Sequence, residues 1–110
     1  MIEETIKKIE ARIQGTEFIK DERRKELSQL LATLKAEVAD LSRTHTDQAQ
    51  SIVGFAELSA HEATRDEKNP ELLRLSLEGL SSSVSEFEKS HPALVRVVNA
   101  VSQTLSNLGI

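Results

Sequence analysis

The sequence predicts an all-α fold: an elongated antiparallel helical hairpin or bundle with a short N-terminal helix, a long second helix and kinked or broken C-terminal helices. Three observations carry that prediction. Apolar residues recur every three or four positions along nearly the whole chain, the period of a helix with one buried face. Only four Gly and two Pro punctuate 110 residues, too few for the turns of a sandwich. With 110 residues and no Cys, the chain is one domain that must fold on its own modest core, without disulfide staples.

Ile2, Ile6, Ile9 and Ile13 line one face of a first helix over residues 2–14. Gly15 suits the left-handed position after a helix end. Thr16 to Lys20 form a connection in which Phe18 and Ile19 are expected to plug the end of the core. Asp21 is placed to cap the next helix, with Glu22 in its positive first turn.

The second helix carries Leu27, Leu31, Leu34, Val38 and Leu41 on one stripe, and the same phase continues through His45, Gln48, Ile52, Phe55 and Ser59. No Pro falls between Glu22 and Asn69, so one helix over residues 21–66 is expected, roughly 65–70 Å long at ~1.5 Å per residue. Its weak point is Ser42 to Ser51, where the stripe turns polar. A continuous helix with a polar layer is favoured there over a break.

Asn69-Pro70-Glu71 reads as a helix start: a capping Asn, Pro in the first turn, then an acid. A third helix over 70–89 is expected to bury Leu73, Leu77, Leu80, Val84 and Phe87, weakened by Gly79 and the Ser81-Ser82-Ser83 run. Ser90-His91-Pro92 forces a kink or restart, because Pro disfavours helical geometry in the residue before it. A fourth helix over 92–108 follows.

That last helix contrasts with the rest. From Pro92 to Ile110 there is one charged residue, Arg96. An apolar arc this wide is normally covered on two sides. Either the helix sits at the centre of an intramolecular bundle, or it is a self-association or partner interface. The second is favoured, with Leu94, Val95, Val98, Val101, Leu105, Leu108 and Ile110 as the contact residues. A helix of about 45 residues is hard to cover from within one chain, whereas a second copy would complete a four-helix bundle. A coiled-coil-like homodimer is therefore the expected partner state.

Composition excludes other classes. Lys and Arg number 14 against 18 Asp and Glu, a net charge near −4, which argues against nucleic acid. No window is long and apolar enough for a membrane span, and the charged opening MIEETIKKIE is no secretory leader, so a cytoplasmic protein is expected. No phosphate-binding glycine loop, nucleophile elbow or paired-acid motif is present, and no catalytic residue or cofactor is assigned.

Three constellations compete with this plain reading. Glu88 and His91 have the E-x-x-H spacing of di-iron bundles, and a homodimer would supply a second copy. A metal-binding bundle using this pair is the alternative function. Against it, Glu88-Lys89-Ser90-His91 abuts Pro92 and reads equally as a helix end. Glu57 and His61 are spaced i, i+4, as ligands and ordinary surface pairs both are. His45 falls on the apolar phase beside Gln48, where a register-fixing polar layer is the simpler role. The mixed-sign cluster Lys20 to Glu26 is read as a solvated first turn.

The run Phe87-Glu88-Lys89-Ser90-His91-Pro92, then Leu94, then an apolar helix closing on Leu108-Gly109-Ile110, resembles the end of a family of small bacterial helical proteins catalogued only as a domain of unknown function. The resemblance covers the first ~40 residues loosely and the last ~25 more specifically, lengths set by reading helical segments. Thr44 to Glu67 departs from it and resembles an insertion that lengthens the hairpin. The resemblance implies a bacterial source, a small helical protein and a role for the Glu88–Pro92 and Leu108–Ile110 segments in fold or function. It implies no activity.

Overall fold

Helices form wherever the period of three to four brings apolar side chains to one face, and they stop where hydroxyl side chains or Pro compete for the backbone. The computed structural model describes residues 1–108. Within them the fold is all-α, with five helices and no strand: α1 (Ile2–Gly15), α2 (Asp21–Ser42), α3 (Thr46–Thr64), α4 (Pro70–Val84) and α5 (Pro92–Leu108). A single 3-10 turn, Ser85–Phe87, separates α4 from the loop before α5.

The continuous helix expected over 21–66 is not formed. The chain leaves α2 at Arg43 and restarts at Thr46, with His45 in a non-helical conformation between them. Hydroxyl side chains bond the backbone on both sides of the break. Ser42 Oγ donates to the Ala39 carbonyl at 2.8 Å, and Thr46 Oγ1 donates to the Ser42 carbonyl at 3.0 Å. Such local bonds offer the backbone an alternative to helical continuation. Folding back also removes the covering problem. An extended rod of ~67 Å would leave much of its stripe in water, whereas the folded chain measures 37 × 25 × 21 Å. Its radius of gyration is 12.9 Å, matching the ~13 Å of a compact chain of this length, so the elongated shape is also corrected.

The bend makes α3 the central helix. It packs against α1, α2, α4 and α5. Its buried positions are mostly small: Ala49, Ala56, Ser59, Ala60 and Ala63, with Ile52 and Val53. Small side chains let four neighbours approach one rod. The larger core residues come from the surrounding helices: Ile6, Ile9 and Ile13 of α1; Leu27, Leu31, Leu34, Val38 and Leu41 of α2; Leu73, Leu80 and Val84 of α4; and Leu94, Val98, Val101 and Leu105 of α5. Each such side chain contributes about 1.5–3 kcal/mol when fully buried.

Several ends differ from expectation in detail. Gly15 does not take a left-handed conformation; α1 runs through it to Thr16. Lys20, not Asp21, is the residue before α2. Of the pair expected to plug the core, Ile19 is buried but Phe18 is half-exposed, with the Lys68 ammonium 4.2 Å from its ring centroid. The start of α4 has the expected cap: Asn69 Oδ1 accepts from the Leu72 amide at 3.1 Å, with Pro70 opening the helix. The third helix ends at Val84 rather than running to 89.

Arg24, which lies in the supposedly solvated Lys20–Glu26 cluster, ties α1 to α2. Its guanidinium donates to the Ile13 carbonyl at 3.4 Å and the Thr16 carbonyl at 2.8 Å, and pairs with Asp21 at 2.7 Å. It thereby adds a second donor to two carbonyls at the end of α1 whose backbone bonds, from the Thr16 and Ile19 amides, are long at 3.4 Å.

Candidate interaction surface

The residues expected to form an interface on the last helix are placed inside the chain's own core. Leu94 and Val98 have no exposed surface, and Val101 and Leu105 are 2% exposed. Val95 and Leu108 are half-buried against that core, and Ile110 lies outside the described residues. The physical reason is the bend at 43–45. It frees α2, α3 and α4 to cover α5 from within one molecule, so its wide apolar arc is satisfied without a second copy. Leu94, Val98, Val101 and Leu105 are thus not a docking face.

Glu88 and His91 do not act as a helical E-x-x-H pair, because α4 has already ended and the two residues sit in the loop before α5. Glu88 is exposed. His91 instead joins His45 and Phe87 in an edge-to-face cluster, with ring centroids 5.5 Å apart for Phe87–His91, 5.4 Å for His45–Phe87 and 6.3 Å for His45–His91. Each imidazole meets the preceding hydroxyl: Thr44 Oγ1 lies 2.7 Å from His45 Nδ1, and Ser90 Oγ lies 3.0 Å from His91 Nδ1. The cluster pins the α2–α3 bend against the entry to α5. Among the described residues no group of three or more His, Cys, Asp or Glu is placed to hold a metal ion.

Glu57 and His61 lie on a groove between α1 and α3, with Lys8 and Arg12 on the facing helix and a volume of about 790 Å³. A second groove, about 710 Å³, runs between α4 and α5 along Leu73, Leu77 and the stem of Arg74.

The feature that stands apart is the outer seam between α3 and α4. The two helices are joined by only five residues, 65–69, and pack along their length. Their register is set by a close approach: a Cβ on Gly79 would fall on the Phe55 ring, so only glycine leaves room for that ring against α4. Helical spacing then puts Phe55 of α3, and Leu58, which also borders the α1–α3 groove, on the same side as Leu72, Leu75 and Gly79 of α4. All four large side chains are 37–48% exposed. Among the described residues the remaining exposed large apolar side chains are Met1 and Phe18, far apart in the sequence from this group.

One end of the seam is polar and tightly held. Glu62 is 6% exposed, and Arg65 pairs with its carboxyl at 2.9 Å across i, i+3. Lys68 closes the turn by donating to the Ala63 carbonyl at 2.6 Å. Partial desolvation lowers its pKa, with nearby Asp66 acting in the opposite sense. Along the solvent edge of α4, Arg74 sits between Glu71 and Glu78, bonded to Glu78 at 2.6 Å and to Glu71. The hydrogen bond from Arg74 holds the Glu71 carboxyl below its usual range, and that same pairing raises the Arg74 pKa.

The sequence reading missed this seam. Leu58, Leu72 and Leu75 fall about one side-chain position away from the core stripe of their helices, so they form a second, narrower stripe beside the first. That doubling, together with Gly79 on the same face, was the available signal.

Comparison with known proteins gives one match. A family model described as a domain of unknown function (DUF4404) covers residues 27–110. α1 and the first turns of α2 lie outside it, so the loose resemblance of the opening segment is not carried by that model. No curated protein and no solved structure matches the chain. No helix among the described residues is long and apolar enough to cross a membrane.

Proposed function

The chain belongs to this family, since the match spans well over half of it, and from that premise we propose a non-catalytic protein-interaction module whose contact surface is the outer α3–α4 seam, seating a helix of another protein. One observation carries the reading: helical spacing brings the exposed Phe55, Leu58, Leu72 and Leu75 to one side of the α3–α4 pair, while the other large apolar side chains among the described residues, Met1 and Phe18 apart, are buried or half-buried. Scattered exposed leucines need no explanation, but a contiguous group of large ones marks a contact site on a monomer. The seam also rests on well-anchored elements, because α3 packs against four other helices and α4 is capped by Asn69.

The test is positional. A photo-crosslinking side chain replacing Leu75 is expected to trap one discrete protein adduct in the host cell. The same side chain at Ala36, on the exposed face of α2, is expected to trap none. Equal trapping at both positions, or none at Leu75, overturns the reading.

A further inference from the structure

The net charge of the chain is not spread evenly. Residues 1–45 carry nine acidic and nine basic side chains, and residues 85–110 carry two of each. Residues 46–84, which are α3, α4 and their turn, carry seven acidic against three basic, so the whole excess of four negative charges sits on the hairpin that bears the exposed seam. Glu71 and Glu78 stand on its rim with side chains 62% and 60% exposed.

Building on the seam as the contact surface, we infer that its partner is a basic amphipathic helix, a segment with apolar residues at i, i+3 or i+4, and i+7 and with Lys or Arg flanking that stripe. Two physical facts select a helix. A seam between two helices presents ridges and a groove but no free sheet edge, and no strand exists among the described residues, so strand addition has nothing to pair with. The exposed stretch of α4 from Leu72 to Gly79 is also ~10 Å long at ~1.5 Å per residue, about two turns, which suits the i, i+3 and i+7 contacts of one docked helix. Charge selects a basic one. Lys or Arg beside the stripe would meet Glu71 and Glu78, two exposed carboxylates that share the single guanidinium of Arg74, speeding encounter and fixing orientation.

The same facts disfavour a second copy of this chain. Seam against seam would face two hairpins that each carry the full negative excess.

The experiment uses the full chain and three peptides of roughly 18 residues, long enough to form a helix in isolation. One has a leucine stripe flanked by Lys, one has the same stripe flanked by Glu, and one has the Lys composition in scrambled order. Amide shifts and titration by calorimetry are the readouts. The Lys-flanked peptide is expected to shift Phe55, Leu58, Leu72 and Leu75 and to bind at least tenfold more tightly than either control. The double variant Glu71→Lys/Glu78→Lys is expected to reverse the preference toward the Glu-flanked peptide. Equal binding of the two striped peptides at the seam, or a tie between the striped and scrambled Lys peptides, overturns the basic helix and leaves the seam as a contact surface. A dimer in light scattering that Leu75→Glu dissolves does the same, naming the second copy as occupant. Failure of all three peptides to touch the seam overturns both statements.

Discussion

Two apolar faces of this molecule are built from the same kinds of residue and meet opposite fates. On α5, Leu94, Val98, Val101 and Leu105 are completely enclosed. On the α3–α4 seam, Phe55, Leu58, Leu72 and Leu75 stay between a third and a half exposed. Hydrophobicity alone does not separate them; by composition α5 is the better candidate for a surface that needs covering. The separation comes from topology. Three helices converge on α5 because the chain bends at 43–45, while nothing in the described chain returns over the outside of the α3–α4 hairpin. Apolar side chains thus report what must be covered, and connectivity decides whether the cover is internal.

The largest effect that would break this contrast comes from placing a charge on each face. Val98→Glu puts an unpaired carboxylate at a position with no exposure, at a cost expected to exceed about 4 kcal/mol, comparable to the stability of a small domain. The helical circular dichroism signal of that variant should be lost at room temperature. Leu75→Glu should stay within about 0.5 kcal/mol of the parent in urea denaturation, as substitutions at exposed sites do. A folded Val98→Glu protein would mean that α5 is not enclosed as described. A Leu75→Glu protein as damaged as the first would mean that the seam is part of the core.

How much of this was legible in the sequence follows the same division. The all-α fold class was readable because Ile6-Ile9-Ile13 and Leu27-Leu31-Leu34-Val38-Leu41 state a helical period directly. The start of α4 was readable because Asn69-Pro70-Glu71 combines a cap, a preset φ and a favourable charge. The α2–α3 bend was not, because the helical phase is kept across it from Leu41 to Ile52, with the polar His45 and Gln48 at the positions between. Phase is indifferent to a local change of direction, and only the hydroxyl-rich Ser42–Thr46 stretch signalled one. The candidate site was illegible for a related reason. Leu72 and Leu75 are unremarkable in a one-dimensional pattern until α3 is laid beside α4 with Phe55 over Gly79. Arg24 was misjudged because its partners are carbonyls at the end of another helix, which no charge pattern reveals.

A smaller effect sharpens the account of the seam's polar end. Arg65→Met leaves the Glu62 carboxylate at 6% exposure without its close partner. Removing one member of a fully buried pair costs about 3–5 kcal/mol. Because the Arg65 side chain is itself 32% exposed, a loss of about 2–3 kcal/mol is expected, still enough to lower the urea midpoint clearly. Adding Glu62→Gln to that variant should restore most of the loss, since the uncompensated charge is then gone. If the double variant is no better than the single one, the cost lies in lost packing of the arginine stem and not in the buried charge.

The smallest effect on stability tests the seam itself. Gly79→Ala should gain close to 1 kcal/mol of helix propensity in α4. The new methyl group cannot coexist with the Phe55 ring in its present place, and the ring, already 37% exposed, must swing outward. The two effects oppose each other, so the melting temperature should move by no more than a few degrees. The Phe55 ring resonances, and contacts between that ring and α4, should change markedly. This variant separates structure from surface in a way that the charged substitutions do not: the fold is kept and only the shape of the apolar seam is altered. If binding of the Lys-flanked peptide falls severalfold in Gly79→Ala while stability stays level, the glycine is there to seat Phe55 in a contact surface. If binding is unchanged and the protein is simply more stable, the close approach of Phe55 to α4 serves packing alone.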